Sequence, residues 1–193
     1  MPRFVAFPRS RVLLPAQRLN LRVYDPALTG RLAGVEEFCS VFASVPEAGA
    51  IGVRASITAR STSSDGRLDI QVLGRARLRL SEPTAESVEA EELPEPLGDG
   101  DVELLRRELE RGCRRFAAAA VESGQPASIS SSLHADPTIA SYQAATILPI
   151  SHPERQELLE IDTTTGRLEQ ELRIVAGETG ILRHMLGLGR MGA

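Results

Sequence analysis

Residues 4–26 read FVAFPRSRVLLPAQRLNLRVYDP, and prolines at positions 8, 15 and 26 cut its apolar positions into short lengths. Proline fixes its own φ and cannot donate to a sheet ladder, so this stretch is barred from being a helix or one long central strand. The spacing predicts a strand over residues 4–7 stopped at Pro8, an apolar Val12-Leu13-Leu14 step against Pro15, and a strand over residues 18–24 stopped before Pro26. In the second of these, Leu19, Leu21 and Val23 alternate with Arg18, Asn20, Arg22 and Tyr24. That is the two-residue period of a sheet with one wet face.

The chain that follows continues in the same key. Asp25 as N-cap and Pro26 at the first helical position predict one or two helical turns over residues 27–35, and a strand follows over residues 38–42. Ile51, Val53, Ala55 and Ile57 alternate with polar or small neighbours, and Asp65-Gly66 is the strongest short hairpin signal, returning into Leu68, Ile70 and Val72. Gly74 interrupts the alternation before Ala76, Leu78 and Leu80, which predicts a bulge and a curved sheet. A last strand over residues 87–93 runs into a linker marked by Pro94, Pro96, Gly98 and Gly100. Helical periodicity then takes over. Asp101 caps a run with Leu105, Leu109 and Phe116 on one face, and Pro137 starts a helix that ends before Pro149. Ser151-His152-Pro153-Glu154 reads as a capping box, and Leu168, Leu172, Val175, Leu182 and Leu186 mark a final long helix. The expected class is α+β, with a β-rich lobe over residues 1–98 and a helical lobe over residues 99–193.

Composition narrows the chemistry. All 22 basic residues are arginine, so no Schiff base, phosphate-loop lysine or serine-lysine dyad exists within these residues. Cys39 and Cys113 have no CxxC partner and read as small buried hydrophobes, not as ligands or a disulfide framework. His134, His152 and His184 form no ligand-spaced pair, and no nucleophile, base and orienting acid are spaced to meet. No catalytic residue, metal or cofactor is therefore expected. No uninterrupted apolar run of about 18 residues occurs and the N-terminus lacks the pattern of a leader, so the expected address is the cytoplasm, without membrane association. Charge is uneven: residues 1–80 carry +6, residues 81–101 carry −8 and the remainder −2, within a net −4.

Several stretches taken in order resemble the substrate-binding (N-terminal) domain family of ATP-dependent Lon proteases. They are Phe7-Pro8, Leu14-Pro15, the run from Leu19 through Arg22-Val23-Tyr24-Asp25-Pro26, Ile51-Gly52-Val53-Arg54-Ala55-Ser56-Ile57, Asp65-Gly66-Arg67, and Gly74-Arg75-Ala76-Arg77-Leu78. The helical half adds residues 141–149, Glu154-Arg155-Gln156-Glu157-Leu158-Leu159-Glu160, and Arg167-Leu168. The chain departs from the family where Tyr24-Asp25-Pro26-Ala27-Leu28 replaces a Phe-Glu-x-Arg-Tyr pattern and where Leu78 follows Arg77 in place of an aromatic. The resemblance implies a PUA-like β pseudo-barrel followed by a helical bundle. It implies a free-standing, non-catalytic member that binds unfolded or degron-bearing polypeptides, as an adaptor to a protease or chaperone and with self-association through the helical lobe.

Polypeptide binding needs apolar surface or an unpaired strand edge more than a catalytic group. The candidate receptor residues are Phe7, Leu14, Leu21, Arg22, Tyr24 and Phe38, expected where the first two strands meet the helical lobe. Core packing is the competing reading for each apolar one, and a structural ion pair for Arg22. The alternative function is RNA binding, ranked second, with Arg75, Arg77 and Arg79 along one strand face as its candidate contacts.

Overall fold

The computed structural model describes residues 1–64, 67–125 and 132–191, the side chains of residues 187–191 excepted. The Asp65-Gly66 hairpin tip and most of the Ser-rich segment at 128–132 lie outside the described residues. The strands are β1 (Arg3–Arg9), β2 (Arg18–Val23), β3 (Glu37–Phe42), β4 (Ile51–Thr62), β5 (Leu68–Pro83) and β6 (Ser87–Glu92). The helices are α1 (Pro26–Ala33), α2 (Val102–Glu122), α3 (Pro137–Ile147), α4 (His152–Glu160) and α5 (Thr164–Met191). The class is α+β, as the sequence implies.

The strands run in the order β2-β5-β4-β3-β1-β6, and β6 also pairs with β5. Strands β5, β4, β3, β1 and β6 thus close into a ring, with β2 added outside it. Long β5 makes this possible by sharing one edge between two neighbours. Its residues 68–73 pair with β2 and its residues 78–83 with β6. Between the two lies the bend expected at Gly74: Ala55 faces Gly74 while Arg54 faces Ala76, so Arg75 is the extra residue of a bulge.

Gly74 is required there for a second reason. Its N–H donates to the Gln17 carbonyl and its carbonyl accepts from the Ala16 N–H, both at 2.9 Å. A Cβ at this position would lie 2.1 Å from the Leu14 carbonyl oxygen. The Leu14-Pro15-Ala16-Gln17 turn is pressed onto the bend, with Ala16 at φ 62, a left-handed conformation unusual for a residue with a side chain.

Pro8 does not stop β1, contrary to the sequence reading, and the strand runs on to Arg9. The Ala6 N–H points to the β6 side, where it donates to the Glu86 carbonyl. Two residues on, Pro8 presents its nitrogen to the same side, beyond the Val5–Ser87 pair that ends the β1–β6 ladder. No ladder bond is lost, so the proline is tolerated.

Contact density divides the chain into two units, Met1–Pro94 with Ser151–Glu160, and Glu95–Ile150 with Ile161–Ala193. Beside the expected division at residue 98, the first segment ends at Pro94 and α4 groups with the strands. In the first unit, Ala6, Cys39, Val41, Leu78, Leu80, Val88 and Ala90 form a buried cluster inside the ring. Burial pushes the Cys39 thiol up to about 12, which keeps it an inert hydrophobe. Helix α1 starts as predicted, with Asp25 accepting the Ala27 N–H at 2.9 Å and Pro26 in the first turn. Its last carbonyls, on Leu32 and Ala33, and that of Val35 beyond it receive the Arg60 guanidinium. Helix α4 opens on the expected capping box, in which the Ser151 N–H and Oγ both donate to Glu154 at 2.7 Å. It is tied to the strands by Gln156 Nε2, which donates to the Ile51 carbonyl at 3.0 Å.

In the second unit α2 packs against α5, and α3 against both. Gly112 lets α2 approach, since a Cβ there would sit 2.9 Å from Val175 Cγ1. The buried Arg167 organises this unit. It donates to Ser141 Oγ, to the Ile161 carbonyl at 2.9 Å and to Glu95 at 2.7 Å, and it stacks 4.4 Å from the Tyr142 ring. The Tyr142 hydroxyl donates to the other Glu95 oxygen at 2.7 Å. Glu171, wholly buried near Cys113, has no partner of hydrogen-bond geometry for either oxygen among the described residues. Burial holds its carboxyl well above the ordinary range, against an opposing pull from Arg167 and the nearby Ala145 N–H.

Two predictions follow from these packing relations. Gly74→Ala should destabilise the first unit by about 1–3 kcal/mol or more in urea unfolding, because the new methyl has to displace backbone, not a flexible side chain. An unchanged midpoint would show that the Leu14 turn is not held against the bend. For Glu171, the folded-state pKa lies above the unfolded one, so the unfolded chain releases its proton first as pH rises. Stability should therefore fall above the ordinary carboxylate range, by at most about 1.4 kcal/mol per pH unit, and level off above the folded-state pKa. Glu171→Gln should remove that slope and leave the protein more stable at alkaline pH.

Candidate functional site

Strand β2 is positioned by its alternation. Leu21 and Val23 turn inward, while Arg18, Asn20 and Arg22 stay exposed. Among the described residues its backbone pairs with β5 alone, through the register from Arg18–Leu73 to Val23–Leu68. One edge of β2 is therefore unpaired, a row of free N–H and C=O groups of the kind an extended chain can extend.

From β2 across the neighbouring β5 to β4 runs a concavity of about 490 Å³, lined by residues of these three strands together with Tyr24. Asn20, Arg22, Ser61, Asp69 and Gln71 give it polar walls, and the shared residues Asn20 and Gln71 lead into a smaller hollow of about 180 Å³ at Arg18 and Thr58. Tyr24 stands at the rim, 66% exposed, with the Arg67 guanidinium 5.2 Å from its ring. Arg22 lies against Asp69 at 2.8 Å, and its guanidinium pKa is raised first by that hydrogen bond and then by Tyr24. Arg18 has neither an ion pair nor a side-chain hydrogen bond among the described residues. The surface thus offers backbone pairing groups, amides that both donate and accept, one aromatic face and a positive bias.

The six receptor candidates separate. Leu21, Arg22 and Tyr24 line the concavity, whereas Leu14 and Phe38 are 0% exposed in the core. Phe7 is half-buried with its ring 5.3 Å from that of Phe38. Strand period placed Leu21 and Arg22 on their faces, but Asn20, Ser61, Asp69 and Gln71 were not singled out, because only strand pairing shows that residues from three segments share one face.

The three-arginine stripe also breaks up. Arg75 and Arg79 are exposed, but Arg77 is 1% exposed and donates to the carbonyls of Leu159 at 3.1 Å and Pro94 at 3.0 Å. The bulge at Arg75 interrupts the alternation just before it, and α4 covers Arg77. Arg77→Met should consequently lower unfolding stability by about 3 kcal/mol, since it strands two buried carbonyls, while Arg75→Gln and Arg79→Gln stay within about 0.5 kcal/mol. Equal effects from all three would mean that Arg77 is no more committed than its neighbours.

Comparison with known proteins adds the lineage. Residues 40–177 match the family described as the ATP-dependent protease La (LON) substrate-binding domain. "Lon protease 2" of Desulfotalea psychrophila is 34% identical over 119 residues, which is 59% of this chain and 15% of that protein. The chain thus spans a small part of that relative's length. Among solved structures, the Lon N-terminal domain protein from Xanthomonas campestris superposes with a TM-score of 0.61 at 23% identity, covering 90% of this chain and 98% of that one. The N-terminal domain of Mycobacterium avium complex Lon protease gives a TM-score of 0.69 at 17% identity, covering 91% and 98% respectively.

Proposed function

Because the chain belongs to the ATP-dependent protease La (Lon) substrate-binding domain family, we propose that it is a non-catalytic polypeptide-binding module whose receptor surface is the free edge of β2 and the concavity beside it. The observation that carries this reading is the pairing of β2 on one side only, next to a hollow with an exposed tyrosine at its rim. An extended segment added along β2 forms main-chain hydrogen bonds at no sequence cost, and alternate side chains fall into or away from the concavity. Tyr24 packs against an apolar side chain of the client, and Asn20 and Gln71 satisfy whatever amide groups the client brings. A native protein has its strands already paired and cannot enter, so an unfolded or degron-bearing segment is selected. In this reading the module hands its client to a protease or chaperone and carries out no chemistry of its own. Among the described residues no helix is long and apolar enough to cross a membrane; in this reading the clients are cytoplasmic.

Fluorescence anisotropy with a labelled model protein, compared in its reduced unfolded and native forms, tests this directly. The unfolded form should bind about tenfold more tightly or better, a difference of about 1.4 kcal/mol. Tyr24→Ala should weaken it several-fold, and a client peptide N-methylated at alternate residues should lose most of its affinity because it cannot pair with β2. Equal binding of native and unfolded protein, or indifference to N-methylation, would sink the proposal.

A further inference from the structure

Most arginines of the first unit have counterparts. Arg3 meets Glu89, Arg22 meets Asp69, Arg31 meets Glu86 and Arg54 meets Glu92, while Arg60 and Arg77 are spent on carbonyls. Among those without one, several gather at the end of β1. Strand β1 ends at Arg9, opposite Phe42, and the chain turns through Arg11 into Val12. The Val12 N–H donates to His152 Nδ1 at 3.4 Å, and the His152 ring lies 6.3 Å from that of Phe42. The start of α4 is thereby seated on the end of β1, and Arg155, one helical turn on, joins Arg9, Arg11 and His152.

Among the described residues none of Arg9, Arg11 and Arg155 has an ion pair or a side-chain hydrogen bond. Arg9 Nη1 and Arg155 Nε are nevertheless out of contact with water. The nearby carboxylate of Glu154 takes the Ser151 N–H and Oγ on one oxygen and forms no ion pair with these arginines among the described residues. Arg11 is exposed and Arg9 keeps a cation–π contact, 5.8 Å from the centre of the Phe7 ring, but guanidinium N–H groups desolvated without a hydrogen-bond partner beside like charges remain costly. Burial, then Arg11, lowers the Arg9 pKa, burial lowers that of Arg155, and burial followed by the three arginines lowers that of His152. The neutral imidazole accepts at Nδ1 and so carries its proton on Nε2, a further donor.

We propose that Arg9, Arg11, His152 and Arg155 form an anion-binding site for a phosphate group, separate from the β2 concavity. A carboxylate has two oxygens and is satisfied by one guanidinium fork, whereas three guanidiniums and an imidazole N–H match the several oxygens and double charge of phosphate. Phosphate chemistry has two sources here, free inorganic phosphate or a phosphorylated side chain on a bound polypeptide.

Both are tested on the full chain at low ionic strength, with chloride as control. The probes are inorganic phosphate and a phosphoserine peptide with its unphosphorylated counterpart, followed by calorimetry and by the NMR titration of His152, assigned through His152→Gln. Either probe, when bound, should raise the His152 pKa, since a dianion then offsets the three arginines. Arg9→Gln and Arg155→Gln should each weaken binding about tenfold, and Arg79→Gln should leave it unchanged. Binding of inorganic phosphate identifies the free ion, and binding of the peptide only when phosphorylated identifies a modified polypeptide. Neither variant should alter binding of the unphosphorylated unfolded protein, which reads the β2 edge alone. No binding of either probe at millimolar concentration overturns the site, as does binding that survives in the Arg9→Gln, Arg155→Gln double variant. RNA retention without binding of either probe would likewise overturn it, in favour of an extended nucleic-acid surface.

Discussion

A single strand has to serve three neighbours, and the bend at Gly74 is what lets β5 do so. Before it the strand pairs with β2, and after it with β6, while β4 runs along its other edge. A straight strand of this length could close the ring or carry β2, but could not do both. The bulged Arg75 supplies the turn in the ladder, and the missing side chain at 74 admits the Leu14 carbonyl. The unpaired edge of β2 is a by-product of this geometry: the strand is displaced from the ring, so no described strand pairs with its far side.

Two buried arginines stabilise the two units in the same manner. Arg77 and Arg167 each end on backbone carbonyls, and Arg167 adds Glu95 and the Tyr142 ring. A guanidinium can do this where an ammonium cannot, because its planar fork reaches several acceptors at fixed angles and it stacks on an aromatic face. Both residues fasten segments that sequence order leaves loose. Arg77 holds Pro94 and α4, and Arg167 holds Glu95 and the start of α5. Consecutive residues Pro94 and Glu95 are thus anchored one in each unit, which gives the acidic connector a structural role beyond solubility. Against these committed arginines, Arg9, Arg11 and Arg155 stand out as a group without ion pairs among the described residues.

Much of the site was within reach of the sequence, but in fragments. Alternation put Arg22 outside and Leu21 inside, and the acid before Pro26 fixed where β2 gives way to α1, leaving Tyr24 at the rim. The same reasoning failed for Phe38 and Leu14, where an apolar residue reads alike whether it faces a core or a ligand, and for Pro8, whose harm depends on whether a neighbour waits on its nitrogen side. Arg77 was the sharpest miss. On a strand diagram it matches Arg75 and Arg79, and only the arrival of α4, some eighty residues later in the chain, takes it out of solvent.

By itself the sequence determined everything set by neighbours along the chain: strands from a period of two, helices from caps at Asp25, Asp101 and Ser151, the bulge at Gly74, and a chemistry without lysine or ligand-spaced histidine. These follow from φ restrictions, local hydrogen bonds and side-chain identity, none of which needs a distant partner. Tertiary structure alone decided which edge stayed unpaired, which arginines were consumed and which were left over, and that α4 belongs with the strands. Those outcomes turn on whether a counter-group happens to arrive from a remote segment. Desolvation then fixes the consequence, because a buried charge with a partner is a fastening, while a buried group without one shifts its protonation or draws in a counter-ion.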